Sequence, residues 1–193
     1  SIGSVTSHNL YSQNSKKNKV RLKAYYFKIM DSVSYFNIKA SSKINKKTKG
    51  VSNIEISVFN LQKNEQVKIG NTITDNQGEA KFIINDLNLL KPDSSGVYTV
   101  IFSFKGTKTF NKASKKVKFK DASIKANLIT KDSVHSMNAT LVDKFHKKPI
   151  IDKQLIVRVQ RLFEPLILDT EFNTTDNTGS ILTPIENGIP GVD

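Results

Sequence analysis

Apolar residues recur with a period of two along short runs of this chain, and that alternation predicts strands with one buried face. Phe36, Ile38 and Ala40 fall on one side of such a run, with Tyr35, Asn37 and Lys39 on the other. Ala80, Phe82 and Ile84 repeat the pattern, as do Tyr98, Val100, Phe102 and Phe104. In Val117-Lys118-Phe119-Lys120 the lysines take the outward face. No stretch of a dozen residues carries a 3.6-residue apolar period with caps, so helices are expected to be short or absent. Gly and Asn/Asp cluster at Asp75–Gly78, Asp93–Gly96 and Asp176–Gly179, which are the expected turns. About seven short strands in about 100 residues, with a turn every 8 to 12, predict a β-sandwich.

The chain also repeats itself. Asp31-Ser32-Val33-Ser34-Tyr35-Phe36-Asn37 is echoed by Asp132-Ser133-Val134-His135-Ser136-Met137-Asn138, at an offset of 101 residues. Thr74-Asp75-Asn76-Gln77-Gly78 is echoed by Thr175-Asp176-Asn177-Thr178-Gly179 at the same offset. Between them Ile54, Ile56 and Val58 meet Leu155, Val157 and Val159. Three matches in one register predict two tandem copies of one sandwich, with a polar segment at 1–17, a first domain at 18–120 and a second at 121–193. Subtracting the offset places Asp193 opposite Pro92, so the second copy is expected to lack its last two strands. That predicts an uncovered inner row at Leu155, Val157, Val159 and Ile181. A boundary imposed on the chain accounts for it, and so does a strand donated by a partner.

The stretch Gly96-Val97-Tyr98-Thr99-Val100-Ile101-Phe102-Ser103-Phe104-Lys105-Gly106, followed by Phe110, Ala113-Ser114 and Val117, resembles the last two strands of bacterial immunoglobulin-like repeats. Those modules typically read Gly-x-Tyr-x-Val, then an aromatic before a Gly, then Ala-Ser and a Val-rich strand. Their middle hairpin commonly carries the Thr-Asp-x-x-Gly that both copies have. The resemblance implies an all-β fold of two tandem immunoglobulin-like β-sandwich domains, the second incomplete at its C-terminus. Such repeats occur in adhesins, invasin-like proteins and envelope ectodomains. The opening Val20–Tyr26, Pro149-Ile150 and the closing Pro190-Gly191 look similar to envelope proteins of Bacteroidota-type bacteria.

Composition narrows the chemistry. The 193 residues include no Cys, which excludes disulfides, thiolate metal sites and cysteine nucleophiles. No apolar run reaches the roughly 20 residues of a membrane helix. Ser1 opens a polar stretch, as a mature or trimmed product would. The net charge of +13 is lopsided: residues 1–120 hold 22 basic and 7 acidic side chains, and residues 121–193 hold 8 and 10. Arg is represented by Arg21, Arg158 and Arg161 alone, which argues against nucleic acid, because base readers favour the bidentate Arg fork.

The basic runs predict a patch for an anionic surface, lipid head groups or an acidic glycan. It comprises Lys16, Lys17, Lys19, Lys43, Lys46, Lys47, Lys49, Lys105, Lys108, Lys112, Lys115 and Lys116. The competing reading is a compositional bias toward Lys, with lysines guarding sheet edges against aggregation.

Other chemistry finds little support. The histidines, His8, His135 and His146, have no partner at metal-ligand spacing, and His146 sits among lysines that repel a cation. Asp75 and Asp176 offer too few oxygens for calcium, whereas an Asx turn closed by glycine explains the motif. No Gly-x-Ser-x-Gly elbow, phosphate loop or marked carboxylate pair points to an enzyme. No catalytic, metal or cofactor residue is therefore expected.

The expected role is a non-enzymatic, extracytoplasmic binding or spacer module of a bacterial envelope or surface protein, in the periplasm or at the cell surface. Its partner would be a protein or an anionic surface. Membrane association would come by surface contact or through a segment outside this chain. The alternative is an accessory ectodomain subunit packed within a membrane-protein complex of the envelope. A carbohydrate-binding module is a third class, disfavoured by the absence of Trp.

Overall fold

The computed structural model of the chain describes residues 16–29, 33–151, 157–159, 166–168 and 174–185, the two short spans as backbone. His8, Leu155, the Asp31-Ser32 half of the first repeat motif and Pro190-Gly191 lie outside them. Among the described residues the fold is all-β, with one 3₁₀ turn at Leu87–Leu89. The strands are β1 (Val20–Ile29), β2 (Val33–Ile44), β3 (Lys47–Gly50), β4 (Glu55–Gln62), β5 (Glu65–Ile73), β6 (Glu79–Ile84) and β7 (Val97–Phe104). There follow β8 (Ala113–Lys120), β9 (Ala122–Lys131), β10 (Val134–Asp143), β11 (Val157–Val159), β12 (Leu166–Leu168) and β13 (Ser180–Ile185).

Two four-stranded antiparallel sheets share one core. In the first, β2 is central: β1 pairs along one side, and β6 and β3 share the other. In the second the order is β5-β4-β7-β8. The alternation of the sequence sets the facing. Val20, Leu22 and Ala24 of β1, and Phe36, Ile38 and Ala40 of β2, are buried. They meet Ile56 and Val58 of β4 and Val100, Phe102 and Phe104 of β7. Phe36 sits at the centre with no exposed surface, edge-on to Phe102 at 5.0 Å and to Phe119 at 5.7 Å. The lysines of β8 face outward while Phe119 is buried, as the pattern predicts.

One buried polar side chain was not legible as such. Asn60 has no exposed surface, yet its amide donates to the Thr99 carbonyl at 3.1 Å and its oxygen accepts from the Lys91 amide at 2.9 Å. It therefore ties the loop before β7 to the middle of β4.

The 101-residue repeat is visible in the pairing. β13 pairs with β10 as β6 pairs with β2: Met137 faces Thr183 where Phe36 faces Phe82. The Leu141 amide donates to the Gly179 carbonyl as the Ala40 amide does to that of Gly78, at 2.7 and 2.8 Å. β9 is slipped by one residue against that offset, because it joins β10 through the two-residue turn Asp132-Ser133, both at positive φ. β11 and β12 pair antiparallel, and the offset of 101 sets them against β4 and β5. Ile181, expected to be uncovered, is instead 5% exposed.

Candidate functional site

The basic runs are far apart in sequence, and the fold brings most of them to one end of the two sheets. β1 begins there, the β2–β3 hairpin turns there, and the loop from β7 to β8 crosses there. Hydrogen bonds hold these segments together. The Asn18 amide donates to the Thr109 carbonyl at 2.8 Å, and the Asn111 amide donates back to the Asn18 carbonyl at 2.9 Å. The Ser42 hydroxyl donates to the Lys19 carbonyl at 2.8 Å. Lys16, Lys17 and Lys19 are thereby set between Lys43, Lys46, Lys47 and Lys49 of the hairpin and Lys105, Lys108 and Lys112 of the loop.

The hairpin tip is Asn45-Lys46, with φ of 50° and 64°, a left-handed pair that matches the twist of a two-residue hairpin. Lys115 and Lys116 do not join this cluster; they lie along β8, opposite Phe102 and Ile101. All twelve lysines are exposed, and among the described residues none is paired with a carboxylate. The acids near this end are mostly occupied. Glu79 pairs with Lys39 at 2.8 Å, and the Asp75 carboxylate serves its own turn; Glu55 opens β4.

The Asx-turn reading of the aspartates fits their geometry. Asp75 Oδ1 accepts the amides of Gln77 at 2.8 Å and Glu79 at 2.9 Å. Asp176 accepts those of Thr178 at 2.8 Å and Ser180 at 3.0 Å. Gly78 and Gly179 close the two turns at φ +78° and +72°, where a Cβ would be strained. Backbone amides from Glu79 and Gln77 hold the Asp75 carboxyl below its ordinary value, and the Thr178 hydroxyl and turn amides do the same for Asp176. Asp93 makes a third such turn, lowered chiefly by the Ser95 hydroxyl. Among the described residues no three metal-ligating side chains cluster.

The opposite end carries an ionic network that sequence reasoning missed. Asp121, the single residue between β8 and β9, pairs with Lys28, and Lys144 reaches it at 3.5 Å. Asp143 pairs with the His146 ring at 3.0 Å and with Lys120 at 3.6 Å. Burial works to raise the Asp143 carboxyl, but the His146 ring and the amides of His146 and Phe145 outweigh it and hold it at about 2. His146 is an exposed turn residue among lysines, and its ring also meets the Asp143 carboxylate. Phe145 packs on Gly96, where a Cβ would come within 2.6 Å of the ring. The only sequence signal was the Lys120-Asp121 step; Lys28, 93 residues away, carried none.

The chain matches no family model, no curated protein and no solved structure.

Proposed function

We propose that the chain is a non-enzymatic, extracytoplasmic binding or spacer module of a bacterial envelope or surface protein, built from two tandem immunoglobulin-like sandwiches, and that it docks on an anionic surface through its basic end. The observation that carries this reading is the convergence of ten exposed lysines, from three separate runs, on one end of the sheets. The immunoglobulin-like assignment draws support from the order β1-β2-β6 facing β5-β4-β7-β8, and from the reuse of the β2–β6 register by β10 and β13. A surface of lysines acts as a diffuse cationic field suited to head groups or acidic glycans rather than to base edges.

Cosedimentation of the chain with neutral and anionic vesicles, and with an acidic polysaccharide, tests it across a NaCl series. Binding to the anionic partners alone, falling steeply with salt, is the expected result. Equal binding to neutral and anionic vesicles, or indifference to salt, would remove the basis of the proposal.

The second reading, an accessory ectodomain subunit packed within an envelope complex, is favoured by the outer face of the first sheet. There Phe27, Tyr35 and Ile83 lie in one cross-strand row, with Tyr25 and Val33 adjoining. Tyr25 keeps 57% of its surface exposed and Ile83 50%. A contiguous apolar face of this kind marks protein contact surfaces.

A further inference from the structure

β8 and β9 belong to different sheets, yet a single residue separates them. Lys120 closes one ladder opposite Val97, and Ala122 opens the next opposite Asp143. Any bending of one sheet against the other therefore passes through the φ and ψ of Asp121, the two soft torsions of its backbone.

Asp121 is tied on both sides. Its carboxylate pairs with Lys28 of β1 and with Lys144 of the turn after β10, and its carbonyl accepts the Lys144 amide at 3.1 Å. Lys28 and Asp121 keep only 10% and 14% of their side chains exposed, so their pair is sheltered from the water that weakens ion pairs at a surface. Two further contacts cross the joint. Lys120 reaches the Asp143 carboxylate at 3.6 Å. Phe145 lies on Gly96, the glycine that closes the Asp93 turn at φ +78°. A Cβ there would come within 2.6 Å of the ring, so the two fit only because position 96 has no side chain. The turn that presents Lys144 and Phe145 is itself braced. Asp143 Oδ1 accepts the amides of Phe145 at 2.9 Å and His146 at 3.1 Å, and the Lys147 amide donates to the Asp143 carbonyl at 2.8 Å.

We propose that Asp121 is a locked elbow: the sheet of β9, β10 and β13 moves as one rigid body with the two packed sheets, fastened by Lys120, Lys144 and Phe145. Relative motion is the ordinary expectation across a small polar interface. Here the joint offers two torsions, and the contacts that oppose their rotation come from three separate elements, β1, β8 and the Asp93 turn. The elbow lies at the far end of β1 from the lysine cluster and does not depend on what that cluster binds.

Amide nitrogen relaxation on the 193-residue chain reads the order parameter for motion of residues 122–143 relative to residues 20–120. The parent should give about 0.85, as rigid backbone does. Lys120→Gln, Lys144→Gln and Phe145→Ala in one chain should lower it below about 0.6. Those three side chains are exposed, and Asp121 and Asp143 keep Lys28 and His146 as partners. Lys115→Gln with Lys116→Gln removes two charges from the middle of β8 and should leave the parent's value. The proposal is overturned if the parent already falls below about 0.6, if the triple variant keeps the parent's value, or if the Lys115 and Lys116 control loosens as far. It is equally overturned if β10 loses its amide-exchange protection in the triple variant, because the three side chains would then build the sheet rather than fasten it.

Discussion

Neutralising the β2–β3 hairpin tests the basic end most directly. The perturbation is Lys43→Gln, Lys46→Gln, Lys47→Gln and Lys49→Gln in one chain. A lysine held near an anionic bilayer contributes about 1 kcal/mol, so four would contribute roughly 4 kcal/mol if all were engaged together. The hairpin geometry lowers that figure. Lys47 and Lys49 stand opposite Ile44 and Ser42, on the side that faces the second sheet, whereas Lys43 stands opposite Thr48 on the other side. One docking pose therefore engages about half of them fully, which is about 2 kcal/mol or roughly a 30-fold weaker partition. Cosedimentation with vesicles containing an anionic phospholipid at low salt measures it, and Lys47→Gln with Lys49→Gln should carry most of the loss. Folding should be almost untouched, within about 0.5 kcal/mol, because these side chains are exposed and unpaired. If the fourfold variant partitions like the parent while remaining folded, the lysines are compositional and the basic end does not dock.

Four further outcomes can be checked on the same chain. Phe36→Ala should cost about 3–5 kcal/mol in urea denaturation, since it empties the centre of an aromatic cluster that includes Phe102 and Phe119. Asn60→Ala should cost about 1–3 kcal/mol, by leaving the Lys91 amide and the Thr99 carbonyl without their buried partner. The Asp143 carboxyl is held at about 2, below its ordinary value, so its contribution is present above the ordinary carboxylate range and fades as pH falls toward 2. Asp143→Asn should flatten that acid limb of the melting curve. Burial pushes the Tyr26 hydroxyl up to about 12, so stability should decline as pH rises from 10 toward 12, and Tyr26→Phe should remove the decline.

Most of the first two sheets was legible because each strand buries alternate residues, and a period of two survives in sequence without any knowledge of partners. Phe36, Ile38, Ala40, Ile54, Ile56, Val58, Val100 and Phe102 are all buried where the alternation placed them. The turns at Asp75, Asp93 and Asp176 were legible because an Asx turn is a local contract among five residues. Asn60 was not: it stands between the apolar Phe59 and Leu61, so a period of two turns it outward, and the groups that satisfy it lie 31 and 39 residues away. The one-residue slip of β9 escaped for a related reason. The repeat motifs fix β10 and β13, but the register of β9 is set by the length of its turn, and Asp132-Ser133 takes two left-handed residues where neither is glycine. The basic runs could be named from sequence, but their convergence could not, because it rests on Asn18, Thr109, Ser42 and Asn111, none of them charged.

Lysine serves two purposes in this chain, and distance keeps them apart. At the start of β1 the lysines form no ion pair with a carboxylate among the described residues; at its far end Lys28 is only 10% exposed and is committed to Asp121. From Lys19 to Lys28 the strand advances about 3.3 Å per residue, or roughly 30 Å in all. That is several times the screening length of about 8–10 Å at physiological ionic strength. The carboxylates of Asp121 and Asp143 therefore do not quench the field of the basic end, although the same chain carries both. Had these acids been scattered among the hairpin lysines, the net charge would be unchanged and the surface would attract little. The docking proposed for the basic end rests on this separation rather than on the total of +13. The property to examine in any variant is accordingly the charge within one screening length of Lys46, not the isoelectric point.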